Sequence, residues 1–346
     1  MSVYAVAISG GVDSAVTATT LLKEGHEVFG ITMVIDDRNK DCLVQGAQVV
    51  TDYLKIPHYV CDLRSEFKRE IIDYFVTSYQ MGLTPNPCAI CNKKIKLHKL
   101  LKFAQDKGAD YLATGHYAKL QHMDNYVELY ESENTTKDQS YFLSLTSIDD
   151  LKYVRFPLQN IKNKSITRKL AKSYGLPNFA KVDSQDICFV PNNDYVSVIH
   201  KYSDAPDVMG DFILNGKAVG KHRGLIHYTI GQRRGLNISY SYPLYVISTD
   251  FKKNTITLGK RTDLLKDNFL IRDVNTFCDI GNVSSNSQFF VKIRSGNKKF
   301  LAEIEPHEND IAIHLLEPNT TAVCPGQIGC IYDKAGRVIA GGIISC

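Results

Sequence analysis

The sequence is most informative at first for what it lacks. Across 346 residues there is no tryptophan and no surplus of one charge: 41 basic and 37 acidic residues leave +4. A binder of nucleic acid that worked by global charge would be plainly basic, so any such binding here must come from local patches. No apolar run approaches the ~18 residues that span a bilayer. The start, MSVYAVAISGG, has no basic n-region and meets two glycines too early for a signal peptide, so a cytosolic location is expected. There is no internal repeat and no low-complexity tract. The hydrophobic fraction of 44% and charged fraction of 23% are those of an ordinary globular chain, long enough for two to three domains of ~100–200 residues.

Cysteine is not scarce, but its pattern excludes two common uses. Nine cysteines spread over a long chain with no secretory signal do not form a disulfide scaffold, and an odd count leaves one unpaired. A single CxxC, with no second CxxC or HxxxH after it, does not complete a structural zinc site.

The first half alternates short apolar runs with helix-period segments. Val3–Ile8, Val28–Met33, His58–Cys61 and Tyr111–Thr114 read as strands. Val12, Ala15, Val16, Thr19 and Leu22 recur at helical spacing, as do Leu43, Ala47, Val50 and Leu54, and then Phe67, Ile71, Tyr74, Phe75 and Ser78. This order predicts an α/β fold with a doubly wound parallel sheet, which binds ligands beyond the C-terminal ends of its strands. Ser165–Tyr174 reads as a helix closed by Gly175. After Tyr195 helical periodicity fades. Residues 208–262 are glycine-punctuated and strand-like, predicting a small, mainly β central domain. From about 268 apolar and polar residues alternate in short runs, predicting a small antiparallel barrel or sandwich, of which the C-terminal antiparallel β-barrel is the expected form. The expected division is 1–197, 198–264 and 265–346.

Two segments carry chemistry. The first strand runs into Ser9-Gly10-Gly11-Val12-Asp13-Ser14 and then a helix. The glycines permit a tight turn and close approach to a ligand, and the N–H groups of the new helix favour phosphate. A plain strand–helix turn also likes glycine, but the whole string in this context argues for more. GxxxxGK[ST] is absent, so transfer of a γ-phosphate is not indicated. The second segment is TPNPCAICNKKIK. Asn86 can cap a helix and Pro87 suits its first position. That places Cys88 and Cys91 in a first helical turn, where a thiol pKa falls. Lys93, Lys94, Lys96, Lys99 and Lys102 push the same way. Cys188, in KVDSQDICFVP, is distant in sequence, and the remaining six cysteines, 42, 61, 278, 324, 330 and 346, have no such context.

SGGVDS resembles the pyrophosphate-binding loop of the ATP pyrophosphatase superfamily, whose members split ATP to AMP and pyrophosphate and adenylate a substrate oxygen. Taken in order, SGGVDS, TPNPC..CN, ATGHYA, KDQSYFL, SQDICF, H.GL..YTIGQR.GL and PGQ resemble the tRNA-specific 2-thiouridylases over essentially the whole chain. The resemblance implies 2-thiolation of the wobble uridine in tRNAs for lysine, glutamate and glutamine. It implies ATP, with Mg²⁺, across Ala7, Ile8, Ser9, Gly10, Gly11, Val12, Asp13 and Ser14, with Met33 and Gly115 also touching the nucleotide. Asp13 would help hold the Mg²⁺–pyrophosphate or cap its helix. Cys188 resembles the persulfide carrier and Cys91 the nucleophile, which either releases hydrosulfide while closing a Cys91–Cys188 disulfide or attacks the activated carbon directly. Cys88 stands where many members have aspartate, so that acid/base role does not transfer. Cys88, Cys91 and Cys188 together offer an alternative, a three-thiolate iron–sulfur site.

For the tRNA anticodon loop, the resemblance implies contacts from Asn86, Pro87, Cys88, His116, Lys137, Asp138, Gln139, Arg294, Ser295 and Gln327. Ser295 replaces an aromatic residue of some members. Three basic stretches fit a polyanion: the lysines after Cys91; Lys221, Arg223, Arg233 and Arg234 with His222 and His227; and Lys292, Arg294, Lys298 and Lys299. The expected partners are tRNA and a persulfide donor such as a cysteine desulfurase or sulfur-relay protein, with no membrane and a monomeric chain. Asp36–Asp41 and the segment around Cys188 are expected to order only on tRNA. Competing readings are a small-molecule amidating or ureido-forming ligase and a tRNA-binding protein without catalysis. The paired cysteines and the β-rich second half argue against the first, and intact SGGVDS, Cys91 and Cys188 against the second.

Overall fold

The apolar runs of the first half pair side by side. The computed structural model describes residues 1–37, 40–124, 126–181, 187–204, 207–278 and 288–345. The strands of the first half are β1 (Val3–Ala7), β2 (Glu27–Val34), β3 (His58–Asp62), β4 (Tyr111–Ala113), the hairpin β5 (Lys119–His122) and β6 (Val127–Tyr130), and β7 (Val154–Arg155). The main sheet has the order β3-β2-β1-β4-β7, and every pairing in it is parallel. Helices α1 (Val12–Lys23) and α2 (Lys40–Leu54) cross between the first three strands. Strand order reverses at β1, which opens a crevice beyond the C-terminal ends of β1 and β4. Val6, Ala15, Val16, Ala47 and Val50 are fully buried around this frame, which fixes the loop that follows β1. Residues Met1–Ile71, Cys88–Gln185 and Ala335–Val338 form this unit.

Ile72–Pro87, Asp186–Lys334 and Ile339–Cys346 form a second unit. It contains a four-stranded sheet, β10-β11-β8-β9, from β8 (Gly210–Leu214), β9 (Lys217–His222), β10 (Tyr245–Asp250) and β11 (Thr255–Gly259). It also contains a closed barrel, β12-β15-β14-β13-β16-β17. The barrel strands are β12 (Asn268–Thr276), β13 (Phe289–Lys292), β14 (Phe300–His307), β15 (Asp310–Leu315), β16 (Ile328–Tyr332) and β17 (Val338–Ser345). Alternation along them sends Phe269, Ile271, Val291, Phe300, Ile313 and Ile331 inward, as a period of two requires.

One expectation is corrected. Helical order does not fade at Tyr195: Tyr195–Tyr202 is a helix, with Asp194 accepting from Ser197 N at 3.1 Å. Its β-branched residues weaken the local signal, and tertiary packing supplies what propensity lacks. Val198 and Ile199 are buried, and Tyr195 stacks on Tyr79 with ring centroids 4.5 Å apart. The expected ordering of Asp36–Asp41 and of the segment leading to Cys188 falls in part outside the described residues.

Candidate active site

Gly10 has φ +69°, and a Cβ there would lie 2.9 Å from the Gly46 carbonyl carbon of α2, so the turn after β1 admits only glycine. The Gly10 carbonyl accepts from Asn178 Nδ2 at 3.1 Å and Lys181 Nζ at 3.2 Å. Ser14 Oγ is spent inside the loop, accepting from Ser9 N at 3.3 Å and donating to Gly11 O at 3.1 Å. Ser9 remains exposed. Gly11 begins α1 without any side-chain cap, so the N–H groups of a 12-residue helix face the crevice without a side-chain acceptor from the cap, as a phosphate cradle requires.

Asp13 does not cap α1. Its carboxylate accepts from Lys164 Nζ at 2.6 Å to both oxygens and from Tyr117 Oη at 2.8 Å. Tyr117 in turn ties three of the resembling motifs together. Its hydroxyl lies 2.7 Å from Thr167 Oγ1, its N–H donates to Gln139 Oε1 at 2.9 Å, and its carbonyl accepts from Gln139 N at 2.8 Å. Gly115 packs against the same loop: a Cβ there would lie 2.9 Å from Asp13 Cβ and 3.1 Å from Ser14 N. Asp138 closes its own turn, accepting from Ser132 N, Ser140 N and Ser140 Oγ. Lys137 is exposed beside it, and Met33 is half-buried in β2. Ala7, Ile8 and Val12 supply the backbone and the buried apolar base of the loop.

Sequence reasoning missed Lys164, Lys181 and Asn178. One signal was available: Lys164 opens its helix, Lys164–Ser173, where the helix dipole disfavours a cation unless something anionic holds it.

His116 lies next to Gly115, with Nδ1 2.7 Å from Thr114 Oγ1. Burial, aided by the Lys96 charge, pushes its pKa down to about 3, so it is a neutral hydrogen-bonding group and not a cation for phosphate. In the helix Pro87–Cys91, Cys88 is exposed and Cys91 is 6% exposed. The expectation of a lowered thiol pKa is corrected at Cys88. The packed protein around it pushes the thiol up, and Lys96 only partly opposes this. After Cys91 the chain continues as a π-helix, Asn92–Lys99, a form that recurs near functional sites. Asn92 is buried there and donates to Phe142 O at 3.1 Å. The lysines of this stretch are not all available to a polyanion, because Lys94 Nζ lies 2.6 Å from Glu70.

The second unit holds Asn86, Pro87, Cys188, Arg294, Ser295 and Gln327. Asn86 and Pro87 are buried, and Cys188 is exposed beside Phe189, which packs on Phe75. The Gln327 amide donates to Thr84 O at 2.9 Å and Pro85 O at 3.2 Å. Arg294 donates to Cys324 Sγ at 2.7 Å. Arg294, Ser295 and Gln327 share the wall of one cleft. The other basic stretches are reduced by pairing. His227 Nε2 lies 2.6 Å from Asp207, Lys221 pairs with Asp211, and His222 is buried 3.1 Å from Asn254 O. Lys292 is buried and Lys298 pairs with Glu317 at 3.7 Å. Among the described residues no helix is long and apolar enough to cross a membrane.

Three family models match consecutive parts of the chain. A tRNA methyl transferase HUP domain matches residues 2–192, a tRNA methyl transferase PRC-barrel domain 203–260, and an aminomethyltransferase beta-barrel domain 266–344. The tRNA-specific 2-thiouridylases MnmA of Rickettsia africae and Rickettsia massiliae are each 44% identical over 99% of this chain and 97% of their own. A solved 4-thiouridine synthetase–RNA complex with bound ATP aligns with a TM-score of 0.36 and 15% identity, over 58% of this chain and 50% of that one. At that score the likeness carries no inference.

Proposed function

The chain belongs to the tRNA-specific 2-thiouridylase family, and on that premise we propose that it uses ATP to replace O2 of the wobble uridine by sulfur in tRNAs for lysine, glutamate and glutamine. The observation that carries this reading is the loop after β1. Its helix N–H groups are uncapped, and it is joined through Asp13 and Tyr117 to Gly115 and Gln139. The two methyl-transferase descriptions name a different chemistry, but a cradle for pyrophosphate supports activation by ATP.

ATP enters as its Mg²⁺ complex, the substrate form. Asp13 would fit that ion only by giving up Lys164, which donates to both of its oxygens, so its role is to anchor Lys164. Uridine O2 attacks the α-phosphorus, pyrophosphate leaves, and the helix N–H groups with Lys164 and Lys181 take up its charge. Cys188 carries the incoming sulfur as a persulfide, supplied by a sulfur-donor protein. The Cys91 thiolate attacks Cys188 Sγ, hydrosulfide departs and a Cys91–Cys188 disulfide forms. Hydrosulfide then adds to C2, and AMP leaves with the original oxygen. Two electrons from an external thiol reset the pair. The neutral His116 and the exposed Cys88 face the base, while Lys137 and Arg294 hold phosphates. An iron–sulfur site on Cys88, Cys91 and Cys188 is not the reading favoured here, because the curated relatives are named as 2-thiouridylases. The division 1–197, 198–264 and 265–346, a monomeric chain and a cytoplasmic setting complete the reading.

Thiolation of unmodified tRNA with ATP and a persulfide donor tests it. Wild type is expected to form 2-thiouridine, with Cys91→Ser and Cys188→Ser both inactive. Product formation by Cys91→Ser would remove Cys91 as the nucleophile, and wild-type activity without ATP would overturn the adenylation step.

A further inference from the structure

Two imidazoles of the second unit converge on one carboxylate. His227 Nε2 lies 2.6 Å from Asp207 Oδ2, and His200 Nε2 lies 3.5 Å from the same oxygen. The three ligand atoms fall within 4.8 Å of one another, and among the described residues no other group of three His, Cys, Asp or Glu side chains comes so close. His200 sits in the last turn of the helix Tyr195–Tyr202, and His227 ends the short 3₁₀ turn Leu225–His227. The His227 side chain is only 8% exposed, and its Nδ1 is buried without a hydrogen-bond partner among the described residues, so Nε2 is the nitrogen it offers. Gly224, at φ +133°, passes close to the pair: a Cβ there would lie 3.3 Å from Asp207 Oδ1 and 3.4 Å from His227 Cδ2. Asp207 at 32% and His200 at 42% exposure keep the cluster accessible from solvent. His227 occupies one of the free positions of H.GL..YTIGQR.GL. His200 and Asp207 lie outside every motif that carried the resemblance.

Two imidazoles and a carboxylate, with no thiolate, suit a first-row divalent ion, whereas Mg²⁺ and Ca²⁺ prefer all-oxygen sets. A tetrahedral Zn²⁺ with bonds of about 2.0–2.1 Å holds its ligand atoms about 3.3 Å apart. The two separations to Asp207, 2.6 and 3.5 Å, bracket that spacing, so side-chain rotation on a fixed backbone seats the ion. We propose that His200, Asp207 and His227 form a Zn²⁺ site with three protein ligands and a fourth position open to water. The ion joins the end of the helix Tyr195–Tyr202 to the turn Leu225–His227 within the second unit. The site stands independently of the thiolation reading, and it removes His227 from the basic stretch expected to meet a polyanion.

Metal titration of the chelator-treated full chain tests this, with Zn²⁺ against a chromophoric competitor and with Co²⁺ followed by its spectrum. Cysteines also bind these ions, and the Co²⁺ spectrum separates the sources: imidazole and carboxylate ligands give ligand-field bands without thiolate charge transfer. Wild type is expected to bind one Zn²⁺ at a site of this kind. His200→Ala and Asp207→Asn are each expected to weaken it about 100-fold or more, at least the loss seen for an outer-shell partner. Excess Mg²⁺ is expected not to displace the ion. Zn²⁺ is expected to raise the melting temperature of wild type and to leave that of His200→Ala unmoved. His200 is exposed at a helix end and alanine favours the helix, so this variant keeps the fold. Equal Zn²⁺ affinity in wild type and both variants overturns the site. Co²⁺ bound only with thiolate charge transfer overturns it as well, and so does a wild type that takes up no Zn²⁺, which leaves His227 and Asp207 as a hydrogen-bonded pair alone.

Discussion

Lys164 opens its own helix, where the dipole disfavours a cation, and the Asp13 carboxylate 2.6 Å away holds it there. Both side chains are mostly shielded, with 15% and 30% exposure, so the pair is poised and not merely a surface contact. A bound triphosphate offers Lys164 a stronger anion than Asp13. Replacing Lys164 by Met should therefore lower kcat/KM for ATP by about 10²-fold, a typical loss for one group that stabilises developing charge. Lys164→Arg should recover part of it. Pyrophosphate release measured against ATP concentration checks both. His116 makes a second residue-scale prediction. Its folded pKa of about 3 lies below the ordinary histidine value of 6.5, so the unfolded chain takes up a proton that the native one refuses. Stability from this group is complete above pH 6.5 and is lost as pH falls toward 3. Removing the titration with His116→Gln should flatten the acid side of the stability curve by up to about 1.4 kcal/mol per pH unit in that window. Denaturant melts of the two proteins at pH 7, 6, 5 and 4 measure the difference.

The loop after β1 and the turn after β4 work as a pair because nothing separates them. Gly115→Ala would place a methyl group 2.9 Å from Asp13 Cβ and 3.1 Å from Ser14 N, and neither neighbour is the free end of a flexible side chain. The loop must shift while the sheet beneath it stays, so KM for ATP should rise at least tenfold with little change in the melting temperature. Nucleotide binding by calorimetry and a thermal melt separate the two. Gly10→Ala should cost stability as well, because it combines positive φ with a backbone contact to α2. These elements show why part of the site was legible beforehand. Strand, glycine loop and helix are local in sequence, and apolar runs of β length bounded by helical periods announce a parallel sheet. The helix Tyr195–Tyr202 was hidden because burial of Val198 and Ile199, not propensity, makes it. The partners of Asp13 and of the Gly10 carbonyl come from more than 100 residues away in sequence, and no spacing rule reaches them. The thiol shift at Cys88 failed as an expectation for a similar reason. The helix start and the lysines were visible in sequence, while the surrounding protein that desolvates the thiol was not.

At the scale of the chain, the C-terminal barrel reaches the segment that leads to the cysteines. Pro325-Gly326-Gln327 clamps Thr84 and Pro85: Thr84 N donates to Pro325 O at 3.0 Å, and the Gln327 amide donates to the carbonyls of both residues. Gly326, at φ +93°, would bring a Cβ to 3.0 Å from the Thr84 backbone, so the approach is as close as glycine permits. The clamp is itself fixed to β17, through Gly326 N to Ile344 O at 2.9 Å and Ile344 N to Gln327 O at 2.7 Å. From Thr84 and Pro85 the chain runs directly into Asn86, Pro87 and Cys88. Family resemblance makes Gln327 a tRNA contact, yet both hydrogen bonds of its amide nitrogen run to protein carbonyls. Thr84 and Gln327 also line the cleft that holds Arg294. Gln327→Leu keeps the bulk and removes the donors, leaving two carbonyls short of partners at about 1–3 kcal/mol each if they stay dry. If Gln327 chiefly positions the segment before Cys88, the single-turnover thiolation rate at saturating tRNA should fall about tenfold while tRNA affinity changes less than threefold. If it chiefly grips RNA, affinity should fall and the saturated rate hold. The geometry selects the first outcome, because a donor already committed at 2.9 Å to the main chain has little left to offer a nucleotide.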